Sequence, residues 1–493
     1  MSRLRRTCSA IMVLAPMFNS KLTFSWPHRQ TQRLKLIVQL LPLMIIAVVA
    51  VIGATRLDKV QEYLAEASGE PANLIIDAEA NFGPLPQPWQ NLGQGGEMHD
   101  WTLSPIKGKV AALQPAYIRL DHIYSFYDIV QQNGDQLTFD FSKLDPLITE
   151  ILETGAKPYL SLSYMPAVIS EDGTITGKPR NWEDWQATIR ATVQHYSKDR
   201  GISNVIYEVW NEPDLFGDWK TYGDKNYLEL YAYAAQGAAQ VQGARPYQFG
   251  GPATTALYRN WFDTLVEFTQ ENNLRLDFYS WHRYDDNVEQ FRRDFSDLMT
   301  WQSQAPGAEN LEFHLTEYGH ESDNDAGYDS NYSAAHTVAV ATEMPAIIYR
   351  GVAFEIEDGP DPVGQTYWGR WGLLTHRDTG NQVKPRYSAM RLLNRLSGDQ
   401  LKVLGKGTWV KALATKNADT IELIVVNYDR FGRHTEEVPI NFRNIEPGSY
   451  TLEITELNGN SRQINLNTDT ADLALTHYMG ANTVNLLRLI PAD

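Results

Sequence analysis

From Pro71 to about Ser397, short apolar runs alternate with longer stretches in which apolar residues recur every three or four positions. The runs are "AYIRL", "KPYLSLS", "VIYEVW", "DFYSWH", "EFHLTE" and "GVAFEIE". Runs with no polar alternation predict strands buried on both faces, the habit of a parallel sheet. Between them lie "LDPLITEILETG", "WEDWQATIRATVQHYSKD", "YLELYAYAAQGAAQVQ" and "WFDTLVEFTQEN", whose spacing predicts amphipathic helices. So long a strand–helix repeat predicts an α/β fold, an eight-stranded (β/α)8 TIM barrel over residues 73–398. A doubly wound dinucleotide-binding sheet fits less well, because no glycine-rich phosphate loop follows the early strands. After Leu396 the helices stop, and "WVKALATK", "TIELIVVNYD", "EEVPINF", "SYTLEITEL", "RQINLN" and "TVNLLRL" predict a C-terminal antiparallel β-sandwich over 399–493. The run "ANLIIDA" at 72–78 is compatible with either domain.

The N-terminal pattern differs. Residues 36–54, "LIVQLLPLMIIAVVAVIGA", carry no charge over 19 positions, close to the roughly 20 needed to span a bilayer core. The chain before Asp58 holds eight basic residues and no acidic one. The positive-inside rule therefore predicts a cytoplasmic leader (1–35), an N-terminal transmembrane helix (36–54), a polar stalk (55–72) and an extracytoplasmic remainder. A cleaved signal peptide ending near "VIGATR" is the rival reading.

Charge narrows the partners. Setting aside those eight basic residues leaves 35 basic against 60 acidic side chains in the body of the chain. Nucleic-acid binding requires a basic footprint, which this body lacks. The lone cysteine, Cys8, permits neither an intrachain disulfide nor a cysteine metal site. Aromatic residues, with 13 Trp and 25 Tyr, are numerous enough to line a sugar cleft, although most aromatics are core.

Candidate chemistry sits at strand ends, where the loops of a parallel barrel form its mouth. In "VIYEVWNEPDLFGDW" an apolar strand, placed fourth, runs directly into Asn211, Glu212 and Pro213. In "LEFHLTEYG" the strand placed seventh ends on Glu317. Across a barrel mouth two such carboxyls can flank one glycosidic bond, one donating a proton and the other attacking or activating water. Taken singly, each reads as a helix cap or a solvated loop acid. The pair at matching strand ends argues otherwise.

In these segments the chain resembles the clan A retaining glycoside hydrolases, and within them family 39, which includes β-xylosidases, α-iduronidases and bacterial exopolysaccharide glycosidases. "YIRLDHIY", "YEVWNEPDL", "GGPA", "YSWHRYD" and "HLTEYG" occur in the family's order. The resemblance implies that Glu212 is the acid/base and Glu317 the nucleophile. It also implies substrate-binding roles for Arg119, His122, Asn211, His282 and Tyr284, with no cofactor and no metal. An acid of this kind needs a pKa near the working pH, which a neighbouring carboxylate favours. Trp368 and Trp371 in "YWGRWG" are candidates for stacking on sugar rings. Two departures stand out: "VAFEIEDG" has Phe354 followed by acids where the family usually has tryptophan, and Trp281 stands where arginine is frequent. The function so implied is a membrane-anchored retaining hydrolase of an extracytoplasmic polysaccharide, endo-acting as in the exopolysaccharide branch. The alternatives are an exo-acting β-glycosidase such as a β-xylosidase, or a non-catalytic glycan-binding barrel.

Overall fold

The computed structural model describes residues 69–134 and 136–492. The leader, the expected anchor at 36–54 and the stalk up to residue 68 lie outside them. Among the described residues, no helix is long and apolar enough to cross a membrane.

Eight parallel strands close into a barrel: Asn91–Gln94, Tyr117–Leu120, Lys157–Leu162, Val205–Val209, Tyr247–Thr254, Phe278–Tyr284, Glu312–Gly319 and Arg350–Phe354. Each pairs with its sequence neighbours, and the eighth closes on the first through Val352 opposite Asn91. "VIYEV" and "EFHLTEYG" are the fourth and seventh strands, the positions expected of them. The first strand, "NLGQ", has one apolar side chain, so its burial leaves no trace in the hydrophobic pattern. A two-stranded hairpin, Val130–Asn133 with Gln136–Phe139, intervenes between the second and third strands and was not anticipated.

Local signals set the helices. Helix Trp182–Val193 begins where the Asn181 side chain accepts from the Glu183 amide, and it carries Glu183 and Asp184 in its first turn, against the positive end of the helix dipole. Trp185, Ile189 and Val193, four apart, are its buried stripe. Helix Asn331–Ala341 breaks this pattern, because every residue from Ser333 to Ala341 is buried. It packs between the barrel and two C-terminal strands, Thr420–Asn427 and Thr483–Pro491, so no face is left for water.

The C-terminal strands form one nine-stranded sheet. Its ninth member is the strand Leu74–Pro84, which pairs antiparallel with Asp399–Leu404 and parallel with Glu436–Arg443. The barrel therefore begins at Asn91 rather than at residue 73, and the sheet is not wholly antiparallel. Leu74 and Ile76 are fully buried in its core with Ile440, Phe442, Leu452 and Leu487. Residues of the opposite face, among them Leu413, Ile424, Val426 and Leu486, join the barrel's core instead. The two faces of the sheet thus have two jobs, one closing the sheet's own core and one buttressing the barrel.

Leu486 is fully buried at that seam. Replacing it with alanine removes three buried side-chain carbons and is expected to cost about 2–5 kcal/mol, read as a lowered denaturant midpoint.

Candidate active site

The fourth strand ends in an uncommon backbone. Trp210 and Glu212 both adopt left-handed conformations, with φ of 73° and 47°, and a bulky residue held there is strained. Trp210 turns fully into the core, its indole N–H donating to the Phe216 carbonyl at 3.0 Å. The Glu212 amide is held by the Ala253 carbonyl at 2.9 Å. With Trp210 turned away into the core, Asn211 and Glu212 both serve the site, and Glu212 is partly accessible.

Arg119, buried and at the end of the second strand, organises what lies beneath. Its Nε donates to Glu208 Oε2 at 2.8 Å, its Nη1 to Glu317 Oε1 at 3.0 Å and its Nη2 to Asn211 Oδ1 at 2.7 Å. Burial opposes the guanidinium charge, but Glu208 and then Glu317 outweigh it and hold the pKa above its ordinary value. Glu208 is the acid inside "VIYEVW", fully buried and also reached by the Tyr159 hydroxyl at 3.3 Å. An acid in an otherwise apolar strand was the sequence signal for this partner. Asn211 passes the contact on, donating to Tyr164 Oη at 2.9 Å.

The sixth strand completes the pair. Tyr284 donates to Glu317 Oε2 at 3.0 Å. His282 Nδ1 lies 2.9 Å from Glu212 Oε1 and 3.6 Å from Glu317 Oε2. Burial works against a charged His282, yet Glu317 and Glu212 prevail and raise its pKa. One ligand atom from each of Glu212, His282 and Glu317 lies within 4.8 Å of the others. These three are the convergent donors that could hold a cation, although His282 and Glu212 already engage each other. The two acids, 105 residues apart in the sequence, face one another across the mouth.

Glu317 is pushed up to about 6, by burial first; His282 and Arg119 pull it down, while Glu212 and Asp121 push it further up. Groups this close titrate as a pair.

Other candidates fall elsewhere. His122 stacks on Phe126 at 4.4 Å and meets Tyr164 edge-on at 4.5 Å. Burial lowers its pKa to about 4, which leaves a neutral ring at the rim, one residue removed from Asn211. Its neighbour Asp121, which sequence reasoning passed over, is the residue electrostatically coupled to Arg119, His282 and Glu212. Trp368 is partly buried beside Arg370, at 5.4 Å, and no contact ties it to either acid. Trp371 is the ring that packs against Phe354, at 5.5 Å. Trp281 is fully buried and donates to Asp294 at 3.1 Å, so the departure from arginine at this position lies in the core rather than in the cleft.

Comparison with known proteins identifies the family and agrees with the fold. The family model described as Glycosyl hydrolases family 39 matches residues 76–447. The chain is 26% identical over 363 residues to a β-xylosidase of Caldicellulosiruptor saccharolyticus, covering 66% of this chain and 72% of that one. Among solved structures, the GH39 enzyme of Xanthomonas axonopodis pv. citri superposes with a TM-score of 0.69 at 19% identity, covering 86% of this chain and 98% of that chain. A monomeric β-xylosidase of Caulobacter crescentus gives 0.68 at 19%, covering 86% and 100%. At these identities the structural likeness speaks to the fold.

Two outcomes follow. Arg119→Met leaves Glu208 buried without its cation and is expected to cost about 3–5 kcal/mol, seen as a lowered unfolding midpoint. A reaction that needs Glu317 ionised requires pH above its raised value, so kcat/KM is expected to fall as pH drops through about 6, measured as the acid limb of a pH–rate profile.

Proposed function

The chain belongs to glycosyl hydrolase family 39, and from that membership we propose a retaining glycosidase in which Glu317 is the nucleophile and Glu212 the acid/base. The observation that carries this reading is the approach of the two acids, one oxygen of each lying within 4.8 Å. Retention calls for carboxyl groups about 5–5.5 Å apart, and inversion, which must admit a water, for about 6.5–9.5 Å.

In the first step Glu317 attacks the anomeric carbon while Glu212 gives its proton to the departing glycosidic oxygen, leaving a glycosyl ester. Arg119 and Tyr284 each hold one oxygen of Glu317, fixing the angle of attack and sharing its charge. Esterification removes that charge, and Glu212, now a carboxylate, takes a proton from water as the water attacks the same carbon. The ester bond breaks, the sugar leaves, and both acids return to their starting states. His282, bonded to Glu212, orients it through both steps.

For substrate, the reading is a polysaccharide outside the cytoplasm, cut internally. The uncharged segment 36–54 with its basic leader supports that location. The second reading, an exo-acting β-xylosidase, is favoured by the 26% identity to a β-xylosidase.

Glu212→Gln and Glu317→Gln are each expected to lower hydrolysis by roughly 10²–10⁴-fold or more while leaving the unfolding midpoint near that of the wild type. An activated fluorosugar is expected to label Glu317, seen by peptide mass. Wild-type rates in either variant, or a label on another residue, would reject the assignment.

A further inference from the structure

The mechanism leaves two buried acids at the same mouth unused. Asp121 follows the second strand and is 9% exposed; Glu355 follows the eighth and is fully buried. In the closed barrel only the first strand separates these two positions. That strand's Gln94 donates to Glu355 Oε2 at 3.0 Å. Among the described residues, Asp121 Oδ1 and Glu355 Oε1 have no hydrogen-bond partner. A buried carboxyl oxygen left in that state is costly, and a ligand or water that bonds to it relieves the cost.

Both feel the charges of the catalytic pair: Glu212 acts on Asp121, and Glu317 acts on Glu355. Asp121 is coupled to Arg119, His282 and Glu212, with Tyr127 and Tyr164 beside it. Glu355 is coupled to Asp358, Asp121 and Glu317 and, with opposite sign, to Lys384. Lys384 is already spoken for, held by Asp358 at 2.9 Å and Asp329 at 2.7 Å. The Phe354 ring closes over the first strand's end, where only glycine fits: a Cβ on Gly95 would lie 2.6 Å from it. Acids thus project from the ends of the second, fourth, seventh and eighth strands, while His282 and Tyr284 project from the sixth.

We propose that Asp121 and Glu355 are sugar-binding residues of the cleavage subsite, selecting a sugar that presents hydroxyl or amino donors to them and excluding one that carries a carboxylate. The proposal rests on the glycosidase reading above and deepens it. Burial lifts Asp121 to about 7 and Glu355 well above the usual carboxyl range, so in the free protein each can hold a proton and offer both a donor and an acceptor. An ammonium on the sugar would displace those protons and pair with the carboxylates, whereas a hydroxyl would hydrogen-bond to them. A uronate would set a second negative charge beside Glu317, which the reaction needs ionised, and the raised acids around it supply no cation to pair with that charge. Beyond Tyr284 the same bias continues in a cavity of ≈ 580 Å³ whose lining includes Asp285, Asp286, Glu321 and Asp325, with Arg430 as its cation.

The test compares wild type, Asp121→Asn and Glu355→Gln on neutral xylan and glucan, basic chitosan and an acidic polyuronate, by release of reducing ends. Wild type is expected to cleave a neutral or the basic glycan and to turn over the polyuronate at least a hundredfold more slowly. Each amide variant is expected to lose roughly 10–100-fold in kcat/KM on the cleaved glycan, with its unfolding midpoint unchanged or raised. A merely structural role predicts the reverse, a lowered midpoint with kcat/KM intact. Preference for chitosan that vanishes in both variants identifies an ammonium donor; preference for a neutral glycan identifies hydroxyls. Wild-type kinetics in both variants, or efficient cleavage of the polyuronate, overturns the assignment while leaving the hydrolase reading standing. No cleavage of any glycan, together with no fluorosugar label on Glu317, overturns both.

Discussion

A single guanidinium ties the site together. Arg119 rises from the second strand and reaches Glu208 and Asn211 on the fourth and Glu317 on the seventh. A planar fork with fixed donor directions can serve three acceptors at once only if the strands bearing them are held in register. The barrel supplies that register, and the fork in turn fixes how deep Glu317 sits and which of its oxygens remains for Tyr284. The two acids meet because each is tied by a short chain of contacts to this one residue.

The cost of the arrangement is visible in the same contacts. Trp210 and Glu212 sit in strained backbone conformations, and four carboxyls crowd one mouth, of which Asp121 and Glu355 each keep one oxygen without a hydrogen-bond partner among the described residues. None of these features helps the chain to fold. They persist because the surrounding core, with the helix Asn331–Ala341 wedged against the C-terminal sheet, is large enough to carry them. The C-terminal sheet packs against the barrel through this helix.

How much of this was legible in the sequence depended on what burial does to composition. The parallel strands showed as apolar runs, and Glu212 and Glu317 showed as acids where those runs stop. The first strand did not show, because Asn91 and Gln94 are buried polar residues whose amide nitrogens bond to groups outside the strand. The strand Leu74–Pro84 read equally well in either domain, since an apolar strand carries no record of its partner. Arg119, Asn211, His282 and Tyr284 were placed by resemblance, and the fold brings them together. His122 lies at the rim and Trp368 apart from the pair, while Asp121 was overshadowed by the histidine beside it. Which of two adjacent side chains turns inward at a strand end is set by backbone twist, and single-sequence patterns do not encode that.

In the proposed mechanism Glu212 and Glu317 act on one anomeric carbon from a separation too short to admit a water between sugar and acid. Following the first minutes of hydrolysis by proton NMR reads this directly, because the anomeric proton of the new reducing end appears before mutarotation scrambles it. Two displacements at one carbon predict a first product with the same anomeric configuration as the substrate. A first product of opposite configuration would contradict the account.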